Sequence, residues 1–309
     1  MTSNGMLYRR LTSTLLNKCI HQVFDVSKCI REVPYVTALV QLLPLFLNKS
    51  IATRYCDGSK QYRLKFTGTL VHGEPVAQFL RANHGKVGCE LGDMMVVCKD
   101  CKTNRQTAAF LQAKVSRKKE ANYILSGPSS LNQLYLYTRW PKFSLKWSGS
   151  RVYDLYPKYA DERARHMIFR HWRRPYVMIA KSQNVMPITY PSLGVYLMQI
   201  LKMQEGREFF NPSHGDAWSE LITDVATYIS NHMFQKCCSL DPNTQFPRVS
   251  QTEIMSFISA KSYEAILSNN LVGMIKQGVM DLPEWAYSKK CFGILTIEKH
   301  FEGRCCVCE

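Results

Sequence analysis

Glu90-Leu-Gly-Asp93-Met-Met-Val-Val-Cys98 and Phe110-Leu-Gln112-Ala-Lys114-Val115 are two short apolar runs, joined by the polar stretch Lys99-Asp-Cys-Lys-Thr-Asn-Arg-Gln-Thr107. Short apolar runs bounded by polar residues predict buried strands, and the polar stretch between them predicts a hairpin loop. Asp93 stands at the lip of the first run. Gln112 and Lys114 lie two residues apart in the second, so the strand period turns both to one face. The hairpin therefore brings an acid, an amide and a lysine to one place.

Working outward, residues 1–58 read as a helical segment. Leu11, Leu15, Leu16, Cys19, Ile20 and Val23 recur at helical spacing, and a second apolar stretch starts at Val36. Pro34 separates the two, and Pro44 is expected to end or kink the second. From Gln61 to Thr67 apolar and polar residues alternate, as in a half-buried strand. His72-Gly-Glu-Pro75 reads as a turn, with Val76 to Leu80 returning antiparallel. Residues 59–150 form the central unit, and residues 151–309 form a C-terminal α/β region packed on it. That region holds an expected strand at Tyr176–Ala180, a helix at Leu193–Met203 and a helix capped by Asp216. A helix at Thr252–Leu267 and a late strand at Phe292–Glu298 follow.

The bulk numbers narrow the function classes. With 309 residues and 46% hydrophobic composition the chain can bury a substantial core. Its 40 Lys and Arg against 24 Asp and Glu leave a formal charge of +16. That excess suits a polyanionic partner, nucleic acid before others, although an ordinary basic protein has the same balance. The longest apolar stretch, Val36–Leu47, contains Pro44 and is short of the roughly 20 residues a spanning helix needs. Arg9, Arg10 and Lys18 interrupt any signal-peptide core, so no membrane partner and a cytoplasmic location are expected. The 12 cysteines are then expected to be reduced thiols. Cys98 and Cys101 have the spacing of a zinc or redox pair, but no second pair completes a four-ligand set, and Cys305, Cys306 and Cys308 crowd the C-terminus. Walker A, G-x-G-x-x-G and G-x-S-x-G motifs are absent from the sequence.

Phosphodiester hydrolysis needs charge neutralised on the phosphate and hydroxide made near neutral pH, which Mg²⁺ or Mn²⁺ supplies. Mg²⁺ takes oxygen ligands and keeps waters. Asp93 offers a carboxylate, Gln112 an amide oxygen and Ala113 its backbone carbonyl, while Lys114 can orient water or stabilise developing charge. An Asp opening one strand and a Gln-x-Lys on the next resembles the PD-(D/E)xK nuclease superfamily, in the variant of Mrr-type restriction endonucleases. Gln133-Leu-Tyr-Leu-Tyr137 is similar to the QxxxY motif of lambda-exonuclease and RecB-like branches; on a helix it puts Gln133 and Tyr137 one turn apart on one face. The resemblance covers residues 60–140. It implies an α/β fold with a restriction-endonuclease-like mixed sheet flanked by helices. It further implies a Mg²⁺-dependent deoxyribonuclease with Asp93, Gln112, Lys114, Gln133 and Tyr137 as its site, in a prokaryotic antiviral-defence or DNA-processing setting. A homo-oligomer or a partner protein of such a system is compatible with it.

Each residue also has a structural reading. Asp93 can cap a strand, Lys114 can snorkel to the surface, and Gln133 and Tyr137 can lie on a solvated helix face. Glu32 is the helical candidate for a further acid. Glu90, three residues before Asp93, points to the opposite face unless Gly92 introduces a bulge. The amide at 112 replaces a carboxylate, so a non-cutting protein that keeps the nuclease fold and binds nucleic acid or a partner is the alternative. Arg117, Lys118, Lys119, Arg139 and Trp140 are candidate nucleic-acid contacts. They open a basic and aromatic stretch running through Trp147, Arg163, Arg165 and Arg170 to Arg174, in which tryptophans could stack on bases or anchor a core. His166 and His171 lack the spacing of a helical metal pair and read as surface or core histidines.

Overall fold

The two apolar runs lie at the middle of the fold. The structure, a computed structural model, describes residues 11–27, 32–50, 54–57, 60–72, 75–116, 123–157, 163–170, 176–182, 185–210, 215–236 and 291–304. Helices α1 (Ser13–Ser27) and α2 (Glu32–Ser50) come first. Strands β1 (Arg54–Asp57), β2 (Lys60–His72), β3 (Val76–Arg81), β4 (Gly85–Glu90), β5 (Met94–Asp100), β6 (Arg105–Ser116) and β7 (Tyr123–Ile124) lead to helix α3 (Pro128–Arg139). Next are β8 (Phe143–Leu145), β9 (Val152–Tyr153), β10 (Ala164–Arg170), β11 (Tyr176–Ala180), β12 (Val185–Met186) and β13 (Ile188–Tyr190). Helix α4 (Leu193–Leu201), β14 (Arg207–Phe209), α5 (Ala217–Lys236) and β15 (Cys291–Arg304) complete the described chain.

The fold is α/β with a mixed sheet flanked by helices. The main sheet has 9 strands, running β1-β2-β15-β5-β6-β10-β11-β13, with β14 paired to the start of β6. β15 is parallel to β5 and β10 is parallel to β6; the other pairs are antiparallel. β5 and β6 form the expected hairpin, with Met94 opposite Leu111 and Asp100 opposite Arg105. Its turn is closed by Asp100, whose Oδ1 accepts from the N–H groups of Lys102 (3.0 Å) and Thr103 (3.3 Å). Asn104 then turns left-handed, which asparagine tolerates better than most residues.

Alternation along these strands sorts the core into two layers. Met94, Val96, Cys98, Ala109, Leu111 and Ala113 pack with α1, α2 and α4. Met95, Val97, Ala108 and Phe110 pack on the opposite side with α3, α5 and a smaller sheet, β4-β3-β8-β9. Covered on both faces, the strands carry no polar-out face, so they read as continuous apolar runs.

Three expectations need correction. Pro44 does not end the second helix: it lies inside α2, which continues to Ser50. Burial of Leu42, Leu43 and Leu47 against the sheet offsets the roughly 3 kcal/mol local cost of an interior proline. Two glycines let this helix approach. A Cβ on Gly68 would sit 1.6 Å from the Val40 carbonyl oxygen, and one on Gly293 would sit 2.4 Å from Val40 Cγ2. Second, the Val76–Leu80 strand does not return onto β2; it pairs with β4 and β8 in the smaller sheet, burying Ala77 and Phe79. Third, β10 runs through the stretch read as a basic and aromatic surface, and its basic side chains are buried.

The late strand is longer than its apolar run and lies centrally, between β2 and β5. The predicted helix at Thr252–Leu267 falls outside the described residues, as do Cys305, Cys306 and Cys308. No helix among the described residues is long and apolar enough to cross a membrane.

Candidate functional site

Asp93 is set by the backbone on both sides. Its N–H donates to the Leu111 carbonyl on β6 (3.0 Å), and its own carbonyl accepts from the Gly293 N–H on β15 (2.9 Å). So pinned, the carboxylate reaches across to β6, where Oδ2 accepts from Gln112 Nε2 and from the Ala113 N–H (2.6 Å). Gln112 shares the face of Ala108 and Phe110, which is the α3 side.

Helix α3 begins with Pro128 at its first positions and closes at Trp140, which is left-handed and donates its N–H to the Leu136 carbonyl. Gln133 and Tyr137, one turn apart, point at the strands. Gln133 Nε2 donates to Gln112 Oε1 (2.8 Å), and the Tyr137 hydroxyl donates to the Leu91 carbonyl (2.8 Å). A Cβ at Gly92 would crowd that hydroxyl at 3.3 Å. Lys114 Nζ lies 3.9 Å from Glu32 Oε2 at the start of α2, and Glu32 Oε1 accepts from the Val115 N–H (3.3 Å). Asp93, Gln112, Lys114, Gln133 and Tyr137 are all buried. Asp93 at the entrance to β5 and residues from β6 and α3 therefore converge, and Glu32 joins them from α2.

His166 also belongs to this cluster, a position that spacing along the sequence did not single out. β10 runs parallel to β6 with His166 beside Gln112 and Ile168 beside Lys114. The imidazole meets the Tyr137 ring edge-on at 5.4 Å, with Nδ1 3.0 Å from Ser182 Oγ. Reading Met167-Ile-Phe169 as the centre of a strand would have found it.

Burial raises the Asp93 carboxyl well above the usual carboxylate range. Glu90 adds to this and Glu32 contributes less, while Lys114 and the Ala113 N–H oppose it. Glu90 is thus close enough to act on Asp93, although it ends a different strand. His166 is held down at about 3 by burial, with Lys114 adding to the effect. Tyr137 is pushed well up by burial, then by Asp93. The cluster therefore holds a carboxyl whose charged form burial disfavours, a neutral imidazole, and a lysine 3.9 Å from Glu32.

A divalent ion needs oxygens. Gln112 turns its nitrogen to Asp93, and Ala113 contributes its N–H there. Among the described residues no group of three or more His, Cys, Asp or Glu is arranged to hold a metal. The Gln133 Oε1 is nevertheless buried without a hydrogen-bond partner. A half-turn of the Gln112 amide alone would set its nitrogen against Gln133 Nε2 and its oxygen against Asp93 Oδ2, so Gln133 must turn with it. With both amides turned, the Asp93 and Gln112 oxygens would face one another and could hold an Mg²⁺ ion that keeps waters on its other positions.

The candidate nucleic-acid contacts fare unevenly. Arg117, Lys118 and Lys119 lie outside the described residues, as do His171, Trp172, Arg173 and Arg174. Arg139 is exposed at the end of α3. Trp140 is fully buried, stacked on Tyr137 at 5.8 Å and edge-on to Trp218 at 6.4 Å, so it cannot stack on a base. Arg163 lies between Trp140 and Trp218, 5.6 and 5.9 Å from their rings. Arg165 donates to both oxygens of buried Glu205 (3.0 and 3.1 Å). Basic and aromatic residues alternate here because they build a core.

Cys98 is buried and Cys101 is half-buried beside the hairpin turn, both as free thiols. Asp216 accepts from the Ser219 N–H (2.9 Å) and caps α5 as expected. No protein-family model, curated protein or solved structure matches the chain.

Proposed function

We propose that the chain is a metal-dependent nuclease that hydrolyses phosphodiester bonds in DNA, with a restriction-endonuclease-like core. The observation that carries this is the convergence of Asp93, Gln112, Lys114 and Gln133 into one buried hydrogen-bonded and charged cluster, closed by Tyr137. A buried acid whose charged form burial disfavours lowers stability, and such groups persist where chemistry uses them. The placement of the residues supports this reading: Asp93 immediately precedes β5, Gln112 and Lys114 lie on β6, and Gln133 and Tyr137 reach toward them from α3.

A bound Mg²⁺ or Mn²⁺ would neutralise phosphate charge and supply hydroxide near neutral pH. Asp93, as a carboxylate, would hold it together with the Gln112 amide oxygen. Gln133 fixes the orientation of the Gln112 amide. Lys114, steadied by Glu32, brings positive charge to the phosphate oxygens as the bond breaks. Tyr137 ties the Leu91 backbone to α3, so the turn delivering Asp93 cannot drift. His166, neutral at working pH, packs against Tyr137 and takes no proton. An antiviral-defence role fits this chemistry.

The test is incubation with plasmid and linear DNA in Mg²⁺ or EDTA, beside Asp93→Ala and Lys114→Ala. Metal-dependent cutting that both substitutions abolish supports the reading, and cutting that survives both overturns it. The amide at Gln112, which donates to Asp93 where a second carboxylate would bind metal, favours one other reading. On that reading the chain binds DNA without cutting it, and DNA retained but intact would establish this.

A further inference from the structure

We infer that the β3–β4 ribbon is a DNA-docking element that enters the major groove of a duplex bound at the candidate site. The inference rests on the nuclease reading only for where the cut falls; the docking itself does not depend on it.

The ribbon projects. β8 pairs with β3 only over Ala77–Phe79, so beyond Phe79 the small sheet is reduced to two strands. There Leu80 pairs with Lys86 and Arg81 with Gly85, and residues 82–86 are all exposed. Leu80 is 74% exposed, although leucine on a strand ordinarily packs inward. A two-stranded ribbon fits the major groove, where an apolar side chain can meet thymine methyls and basic ones the flanking phosphates.

Charge favours DNA as the occupant. Residues 76–90 and 123–153, which supply β3, β4, α3, β8 and β9, contain Arg81, Lys86, Arg139, Lys142, Lys146 and Arg151 against a single acid, Glu90, at the end of β4 away from the ribbon tip. Lys142 and Arg151 pair with acids outside this set, Asp154 (3.1 Å) and Asp224 (2.7 Å). Among the described residues neither Lys86 nor Lys146 has an acidic partner. A second copy of this chain would bring like charge to the same face.

The ribbon is also held to the site. Arg81 Nη1 donates to Asn132 Oδ1 (2.7 Å) and its guanidinium lies 5.5 Å from the Tyr135 ring, on which Phe79 stacks at 5.9 Å. Asn132 immediately precedes Gln133. From Gly85 to Glu90 the strand rises about 17 Å, so the ribbon tip stands well clear of the residues before Asp93.

Binding is measured on the full-length protein in EDTA, with a labelled duplex of about 30 base pairs over a salt series. The variants, on the lobe formed by residues 76–90 and 123–153, are Lys86→Glu/Lys146→Glu and Leu80→Ser. A charge-matched control, Lys60→Glu/Lys202→Glu, alters exposed lysines elsewhere. The lobe double variant should bind at least tenfold more weakly than the control and lower the salt slope by about 2, one phosphate contact per lysine. Leu80→Ser should weaken binding with an unchanged slope. If the lobe variants bind as the control does, or the wild type binds no duplex, the inference is overturned. Loss of binding accompanied by dimer dissociation in sedimentation would assign the face to a second copy instead. Cleavage abolished by Asp93→Ala with lobe variants binding normally would leave the nuclease reading standing alone. Lobe-dependent binding without any cleavage would do the reverse.

Discussion

Replacing Asp93 by Asn should make the protein more stable while removing its activity. The carboxylate is buried and accepts from Gln112 Nε2 and the Ala113 N–H. Its proton is held above the ordinary value of 3.8 by burial first and Glu90 second. The folded state thus binds that proton more tightly than the unfolded chain, and stability falls as pH rises through the window between the unfolded and folded values. Asn has nearly the same shape and never ionises. Its oxygen can keep both hydrogen bonds, now neutral and weaker by about 1 kcal/mol in total, and the attraction to Lys114 is lost. Against these losses the burial cost of the charge disappears, a term of several kcal/mol before relaxation. The net gain at pH 8 is on the order of 1 kcal/mol, or a rise of about 2–4 °C in Tm for a chain of this size. At pH 4 the two proteins should melt together. Thermal unfolding followed by circular dichroism in EDTA at both pH values measures this, with plasmid cleavage in Mg²⁺ run in parallel. A variant less stable than wild type at pH 8 would refute the reasoning, because Asp93 would then be a structural anchor rather than a strained functional acid.

The other expectations are simpler. His166 titrates near 3 in the fold against 6.5 when exposed, so the protein should lose stability as pH falls below about 6.5; His166→Gln should flatten that acid limb by close to one proton, read from denaturant midpoints against pH. Gly68→Ala would press a methyl into the Val40 carbonyl, push α2 off β2 and cost about 3 kcal/mol, and chemical denaturation should show it. Because α2 carries Glu32, residual activity of that variant should fall as well; full activity at normal stability would contradict the close helix–sheet approach. Tyr137→Phe leaves the Leu91 carbonyl without its partner and should cost about 1–3 kcal/mol, with activity lost beyond what reduced stability explains.

Much of the centre was legible in the sequence because local rules govern it. Two apolar runs separated by a polar stretch make a hairpin whatever surrounds them, and the two-residue period sends Gln112 and Lys114 to one side. The four-residue spacing of Gln133 and Tyr137 likewise survives any packing, since it is a property of the helix. His166 was not legible, because it reaches Gln112 by parallel pairing across a long connection and no periodicity records such a pairing. The basic and aromatic stretch misled for a related reason: composition cannot distinguish arginines that face water from those, like Arg165, matched to a buried Glu205. The sequence by itself determined the strands and helix of the site and which side chains share a face. Only the tertiary structure decided that β15, from the far end of the chain, would hold the backbone of Asp93. It also decided that Gln112 turns its nitrogen to that acid, because burial and the competition for hydrogen bonds among Asp93, Gln112 and Gln133 exist only once the layers have closed.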